Sequence, residues 1–303
     1  MTMSTPRDNQ VVALFPGQGA LSTGAGDSWR NDAAWDMVRA ISEVVDIDVE
    51  RLLLSADNDD VIRTDNAQIA TYALSLVGWH SYTKVNPTPG VVMGHSLGEF
   101  TALVAAGVID YVSGARLVRA RGAAMRAANE ARPGTMAALM GGDDHALRRL
   151  QEIDDLWIAN FNGEGQTVVS GTLEAIDTLE REGKELGWRR VTRLNVGGAF
   201  HSPLMAQAQG ELDSVLAATS FQETETRIVA NVDGQIRNGG EQWRSLLSRQ
   251  LTEPVQFLEG TRALPPQVDR SIEMPPGTVL TGLSKRIRTF ASQGSAQPLG
   301  DLS

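Results

Sequence analysis

Residues 90–100, GVVMGHSLGEF, are the stretch that decides the fold. A short apolar run, which predicts a buried strand, ends at Gly94, and an Ala-rich apolar run through Ala106 predicts a helix. Gly-His-Ser-Leu-Gly lies between them, in the strand–turn–helix context of a nucleophile elbow. The two glycines permit a tight turn that exposes the Ser96 hydroxyl, and the start of the helix directs backbone N–H groups toward it. The stretch therefore predicts a nucleophilic serine at the edge of a sheet.

The composition limits the class of protein. A chain of 303 residues is long enough for one large domain with an inserted subdomain. It has no apolar run near the roughly 20 residues that span a bilayer, and its polar N-terminus lacks a signal-peptide core. The absence of cysteine excludes disulfides, thiolate metal sites and a cysteine nucleophile. The net charge of −10 argues against nucleic-acid binding, so we expect a cytoplasmic enzyme without a membrane or nucleic-acid partner.

The order of patterns along the chain predicts an α/β fold. A β-type run at 11–15 breaks at the Gly-rich loop 16–20, which indicates backbone held close to a ligand. Residues 136–194 alternate as β-α-β-β-α-β, the ferredoxin-like unit. We expect an α/β-hydrolase-like catalytic domain with a parallel sheet, an inserted ferredoxin-like α+β subdomain and a flexible tail. Their expected bounds are 10–130 with 196–290, 131–195 and 291–303, respectively.

A serine nucleophile needs a base, and the chain has four histidines. His80 lies late in a predicted amphipathic helix over 64–82, and His145 lies at an exposed helix start. His95 adjoins Ser96 and should point to the opposite side of the strand. His201 follows two glycines on a loop before a helix, which makes it the leading base by elimination. The carboxylates between serine and histidine all read as surface residues, and this argues against an ordinary esterase.

Taken together, the motifs resemble those of the malonyl-CoA:acyl carrier protein transacylase family of fatty acid and polyketide synthesis. The resemblance covers roughly residues 11–288. It rests on seven stretches in the family's order: FPGQG at 15–19, GHSLGEF at 94–100, RARG at 119–122 with Met125, NFN at 160–162 with GQ at 165–166 and SG at 170–171, AFHS at 199–202, NVD at 231–233 and RQLTEPV at 249–255.

The resemblance implies a set of catalytic roles. Ser96 would be the nucleophile and His201 the base. The main-chain carbonyl of Gln250 would orient the imidazole in place of an acid, giving a Ser–His dyad. The backbone N–H groups of Gln18 and Leu97 would form the oxyanion hole.

The same resemblance implies a substrate-binding set. Arg121 would grip the free carboxylate of a malonyl group, although on pattern alone it belongs to a row of solvated helix arginines. Met125 belongs to the same motif, and Asn160 and Asn162 belong to the subdomain signature. Phe200 resembles the malonyl-type form of the histidine motif, where a bulky ring leaves little room for a 2-methyl branch.

The activity that the resemblance implies is a ping-pong transfer from malonyl-CoA to the phosphopantetheine thiol of an acyl carrier protein. No permanently bound cofactor or metal is expected, and we expect a monomer. Carrier proteins are generally acidic, so a basic rim should bind the partner. Its candidate residues are Lys184, Arg189, Arg190, Arg193, Lys285, Arg286 and Arg288.

Three alternatives remain open on the sequence. They are a trans-acting acyl hydrolase of the same fold, a carrier-to-carrier acyltransferase for another acyl group, and a non-catalytic subunit that docks carrier protein. Arg121 argues against the hydrolase, because a carboxylate clamp has little use on a neutral acyl chain. Leu21 and Pro275 depart from the family's pattern and leave the acyl group open.

Overall fold

The computed structural model describes residues 7–299 and contains two β-sheets with surrounding helices. The strands are β1 Arg7–Phe15, β2 Thr88–Gly94, β3 Gly134–Met140, β4 Leu156–Gly163, β5 Gln166–Thr172, β6 Arg190–Arg193, β7 Arg227–Val229, β8 Ile236–Arg237, β9 Arg270–Glu273 and β10 Ser292–Ser295. The helices are α1 Asp36–Val45, α2 Val49–Leu54, α3 Asn58–Ile62, α4 Thr64–Val85, α5 Leu97–Ala105, α6 Tyr111–Ala131, α7 Asp144–Arg149, α8 Leu173–Glu182, α9 Ala206–Ala217, α10 Gln242–Gln250, α11 Phe257–Ala263 and α12 Val279–Ser284.

The larger sheet has the strand order β10-β9-β1-β2-β7-β8 and is parallel except for the β7–β8 pair. Its central strands are continuous apolar runs because helices cover both faces of a parallel sheet. Phe15 and Gly94, the last residues of β1 and β2, are register partners. The loops that follow these strands therefore emerge side by side at one edge, which is where the site forms.

Helix α4 is buried on all sides from Thr64 to Trp79, whereas the sequence pattern predicted an amphipathic helix. It packs against α1, α2, α5 and α6, so that no face meets solvent over most of its length. Its polar side chains Gln68, Thr71 and Ser75 are consequently buried as well. The prediction was wrong because neighbouring helices cover these polar residues as well as the apolar ones.

The smaller sheet is antiparallel, with the order β4-β5-β3-β6, and its elements follow one another as β-α-β-β-α-β. It has a separate apolar core in which α7 and α8 pack on one face. Strand β4 contacts the segment before α11: Phe161 N–H donates to the Val255 carbonyl, and Val255 N–H donates to the Ala159 carbonyl, both at 2.9 Å. The smaller sheet is thereby joined to the segment that precedes α11.

The segment from residue 292 to 299 differs from the predicted flexible tail. Strand β10 pairs in parallel with β9, and the Ala296 N–H donates to the Glu273 carbonyl. Its polar Gly/Ser sequence carries no strand signal, but the open edge of β9 supplies backbone partners. The rest of the predicted tail, residues 300–303, lies outside the described residues.

Residues 7–299 contain neither a membrane-spanning helix nor a cluster of metal-ligating side chains. Over that range no helix is long and apolar enough to cross a membrane. The same residues contain no group of three or more His, Asp or Glu side chains placed to hold a metal ion.

We expect Gly98→Ala to lower the free energy of unfolding by about 1–3 kcal/mol. A Cβ at Gly98 would lie 2.0 Å from the backbone oxygen of Phe15, in the centre of the sheet. The matched control is Gly210→Ala in α9, where a Cβ meets nothing within 4 Å, and this change should raise stability by about 0.5–1 kcal/mol. Urea unfolding of both variants tests the difference, and equal effects would contradict the close approach of α5 to β1.

Candidate active site

Ser96 lies in the turn between β2 and α5 with a φ of +54°, a left-handed conformation that is unusual for a residue with a side chain. Its N–H donates to Asn231 Oδ1 at 2.7 Å, which holds the turn from below. The flanking glycines are required because a Cβ on Gly94 would lie 2.0 Å from the carbonyl carbon of Gly98. The packing thus imposes the strained turn that presents the hydroxyl.

His201 contacts Ser96 from the loop before α9. Its Nε2 lies 2.7 Å from Ser96 Oγ, and its Nδ1 lies 2.7 Å from the main-chain oxygen of Gln250. A carbonyl only accepts, so Nδ1 carries the proton and Nε2 offers its lone pair to the serine hydroxyl. Burial, assisted by the charge of Arg121, lowers the pKa of His201 to about 3, so the imidazole is neutral near pH 7. In the described part of the chain, no carboxylate hydrogen-bonds to this ring.

Arg121 is 1% exposed, although other arginines of α6 point to solvent. Its Nη2 donates to Ser96 Oγ and to Gln250 Oε1, both at 3.0 Å, and its Nη1 donates to Gln68 Oε1 at 2.8 Å. Within residues 7–299 no carboxylate oxygen lies within 4 Å of its nitrogens, and Nε has no partner. Burial lowers the pKa of Arg121 to about 9, which still leaves the guanidinium charged near pH 7.

The glycine loop after β1 packs directly against the elbow. A Cβ on Gly17 would lie 2.8 Å from the carbonyl oxygen of His95. Gln18 of this loop lines the cavity beside Ser96. The backbone N–H of Leu97 is the first of α5. Neither the Gln18 N–H nor the Leu97 N–H donates a hydrogen bond to another group among the described residues.

A cavity of about 460 Å³ opens above Ser96 and His201. Apolar side chains from the smaller sheet and from α12 form its walls, while Asn160, Asn162 and His95 contribute polar groups. His95 Nε2 and Asn162 Oδ1 lie 2.9 Å apart, so His95 supports the wall of the site and does not reach Ser96. The cavity wall consists of residues 16–20, 95, 96, 136, 160, 162, 168, 194–196, 200, 201, 279, 280 and 283.

The structure brings most of the predicted substrate residues to this cavity, but not all in the same way. Phe200 lines it, as do the two asparagines. Arg121 is buried behind Ser96, which its Nη2 contacts, and it does not line the cavity. Met125, one helical turn further, is buried and accepts a hydrogen bond from Gln68 Nε2 at its sulfur, at 3.1 Å. Met125 therefore packs behind the site and does not face the cavity.

The side chains of Gln68 and Gln250 hold the site and were not predicted from the sequence. Gln68 connects Arg121 to the side chain of Gln18, since its Nε2 donates to Gln18 Oε1 at 3.0 Å. The side chain of Gln250 donates to the Ser96 carbonyl and to Glu99. The spacing of Thr64, Gln68, Thr71 and Ser75 along one helix face was the available signal for Gln68.

The two departures from the family's pattern lie away from the reacting atoms. Leu21 is part of the main apolar core. The carbonyl of Pro275 accepts a hydrogen bond from Ser75 Oγ of α4, and its ring packs against Gly78. Neither residue lines the cavity, so neither changes the chemistry of its walls.

The chain is similar over nearly its whole length to known acyl transferases. The acyl transferase domain family matches residues 12–299. A malonyl CoA-acyl carrier protein transacylase of Staphylococcus aureus (strain MSSA476) is 34% identical over 97% of both chains. A crystal structure of a Mycobacterium tuberculosis enzyme of this kind superposes with a TM-score of 0.89 at 31% identity, covering 95% of this chain and 97% of that one.

A third relative is a malonyl-transacylase solved in complex with its acyl-carrier protein from a type II polyketide synthase. It superposes with a TM-score of 0.87 at 32% identity, covering 95% of this chain and 96% of that one. These findings confirm the resemblance inferred from the seven motifs. The chain belongs to the malonyl-CoA:acyl carrier protein transacylase family of acyl transferases.

Proposed function

We propose that this protein moves a malonyl group from coenzyme A to the phosphopantetheine thiol of an acyl carrier protein through a malonyl ester on Ser96. One observation carries the proposal: the Ser96 hydroxyl lies between a neutral imidazole and a buried guanidinium that lacks a carboxylate partner. The imidazole suits acyl transfer, and the guanidinium suits an acyl group that brings its own carboxylate.

The first half-reaction uses the Ser96–His201 pair. His201 Nε2 takes the hydroxyl proton as Oγ attacks the thioester carbonyl, and the Gln250 carbonyl stabilises the imidazolium that forms. The N–H groups of Gln18 and Leu97, which donate to no other group among residues 7–299, would be the donors to the tetrahedral oxyanion. The imidazolium then gives its proton to the leaving coenzyme A thiolate.

The second half-reaction reverses these steps with a different thiol. His201 removes the proton of the phosphopantetheine thiol, whose sulfur attacks the malonyl ester. The same two amides hold the second oxyanion, and the proton returns to Ser96 Oγ. A ping-pong cycle follows because coenzyme A leaves before the carrier arm enters.

Arg121 would select the acyl group. The carboxylate of a malonyl ester lies two carbon atoms beyond the ester oxygen, and Arg121 Nη2 already contacts that oxygen at 3.0 Å. A neutral acyl group would leave the buried guanidinium without its anion, which costs binding energy. Phe200, Asn160 and Asn162 would shape the cavity around the acyl chain, and Met125 would support Arg121 from behind.

The basic residues expected to bind a carrier protein fall into two groups, those with structural partners and those that are exposed. Arg193 pairs with Asp177 and Glu180, and Arg288 donates to main-chain carbonyls of residues 264–268, so both have structural partners. Arg189, Arg190 and Lys285 are exposed and stay candidates for an acidic carrier protein, with Lys184 and Arg286. The complex of the related malonyl-transacylase with its carrier protein supports a partner of this kind.

The proposal includes a division of the chain into a hydrolase-like catalytic domain, 10–130 with 196–290, and a ferredoxin-like insert at 131–195. Support comes from the separate apolar core of the smaller sheet and from its strand order, in which β3 and β5 are central. The monomeric state, the cytoplasmic location and the lack of a permanent cofactor stay predictions from sequence.

We expect intact-protein mass spectrometry to show a malonyl adduct after brief incubation with malonyl-CoA, and none on Ser96→Ala. Holo acyl carrier protein should discharge the adduct. An adduct lost equally fast to water would favour an acyl hydrolase. No malonyl adduct on the wild type would favour a carrier-to-carrier transferase of another acyl group.

Arg121→Ala should reduce kcat/KM for malonyl loading by at least about 100-fold, about 3 kcal/mol, because charge-assisted hydrogen bonds to the carboxylate are lost. Acetyl loading should not fall in parallel. Arg116→Ala is the matched control, since Arg116 is an exposed arginine of the same helix. Single-turnover loading with both thioesters measures the ratio of malonyl to acetyl kcat/KM. An equal loss of kcat/KM for the two thioesters would argue against the clamp.

Phe200→Ser should admit methylmalonyl-CoA, because Phe200 fills the cavity wall beside His201. The ring is 4% exposed, so its removal opens space next to the acyl position. Competition between malonyl- and methylmalonyl-CoA for the wild type and the variant measures the change. Unchanged selectivity between the two thioesters would contradict this role of the Phe200 ring.

A further inference from the structure

Glu99 is a buried carboxylate that the mechanism above leaves unused. It lies in the first turn of α5, three residues after Ser96, and is 1% exposed. Its Oε1 accepts the Asn231 N–H at 2.7 Å, and its Oε2 accepts Gln250 Nε2 at 2.5 Å. Both neighbours are donors, so the contacts favour the ionised carboxylate while the site is empty.

One neutral amide separates this carboxylate from the Arg121 guanidinium. Gln250 Oε1 accepts from Arg121 Nη2 at 3.0 Å, while Gln250 Nε2 donates to Glu99. Because a carboxylate oxygen only accepts, Glu99 Oε2 fixes the orientation of the Gln250 amide, with its own oxygen toward the guanidinium. The empty site holds one buried positive and one buried negative charge, bridged by that amide.

The other charges near Glu99 are few in the described residues. Arg121 of α6 favours its ionised form, and Asp233, in the turn after β7, disfavours it. Asp233 is itself paired with Arg237 at 2.6 Å. His201, on the loop before α9, is neutral because burial lowers its pKa, and α4 contributes the neutral Gln68 to this region.

A malonyl carboxylate at Arg121 would bring a second negative charge into a buried site that has one positive charge. Two like charges in such a place disfavour the ionised form of one of them. Resting on the proposed function, we propose that Glu99 takes up one proton from solvent when a malonyl carboxylate binds Arg121. Glu99 is then a positioning residue. Its negative charge balances the positive charge of the guanidinium in the empty enzyme, and the substrate carboxylate balances that charge in the complex.

The acidity of Glu99 supports this exchange. Burial raises the pKa of Glu99 to about 7, so little additional free energy is needed to protonate it near neutral pH. The nearby malonyl carboxylate raises this pKa further, and the complex therefore binds more protons than the free enzyme. It follows that malonyl binding weakens as pH rises above about 7, by up to tenfold per pH unit.

The test uses Ser96→Ala, which binds thioesters without reacting and releases no thiol. Calorimetric titration in buffers of different ionisation enthalpy, at about pH 7.5, counts the protons taken up on binding. We expect malonyl-CoA to take up about 0.5–1 proton more than acetyl-CoA, which carries the same nucleotide without the carboxylate. The malonyl-to-acetyl affinity ratio should also fall between about pH 7.5 and 8.5.

A second variant assigns the proton. In Ser96→Ala/Glu99→Gln the extra proton counted at about pH 7.5 should vanish. The affinity ratio should fall less steeply between about pH 7.5 and 8.5, where only the Arg121 guanidinium, with a pKa of about 9, begins to lose its proton. Glu273→Gln in the same background is the matched control. Glu273 is also buried with a raised pKa, but it accepts from the N–H groups of Leu280 and Thr281, away from Arg121. Loss of the extra proton in this control would overturn the assignment to Glu99.

The outcomes separate this inference from the proposed function. Tighter binding of malonyl-CoA with equal proton counts for the two thioesters would overturn proton uptake and leave the Arg121 clamp intact. Equal affinities for the two thioesters in Ser96→Ala would overturn the clamp itself. Should the double variant fail to fold, the comparison of the two thioesters on Ser96→Ala decides alone.

Discussion

The buried charge of Arg121 is the constraint on which the site depends. A guanidinium removed from water needs hydrogen-bond partners and a nearby negative charge. The chain supplies the partners from α4, the elbow and α10, through Gln68, Ser96 and Gln250. The nearby negative charge is that of Glu99, which is separated from Arg121 by the Gln250 side chain. This arrangement leaves the guanidinium incompletely satisfied at the position where an acylated serine would place its substituent.

The sheet makes that arrangement possible. Parallel strands β1 and β2 end in register at Phe15 and Gly94, so the glycine loop and the elbow meet at one edge. Because Gly17, Gly94 and Gly98 have no Cβ, the backbone segments around them approach one another more closely than any other residue would allow. These approaches bring the glycine loop and the Ser96 hydroxyl to a single cavity, and they explain why glycine recurs in both loops.

The sequence was informative where function depends on local geometry and less so where it depends on packing. The elbow, the glycine loop and the histidine follow from residues adjacent in the chain. The contacts from Gln68 to Arg121 and from Gln250 to Glu99 join residues 53 and 151 positions apart, which no local pattern reports. The buried character of α4 and the pairing of β10 were missed for the same reason, since each depends on what the rest of the fold places beside it.

Among residues 7–299 no acid hydrogen-bonds to His201, which is consistent with a proposed substrate that carries its own carboxylate. A carboxylate at the third position of a triad would add negative charge to a buried site that is to receive a carboxylate on its acyl group. The Gln250 main-chain carbonyl orients the imidazole, fixes its tautomer and adds no net charge. Because the same residue's side chain accepts from Arg121, Gln250 connects the orientation of the base to that of the clamp. A neutral orienting group is therefore the arrangement expected of an acyl transferase whose selectivity depends on one buried positive charge.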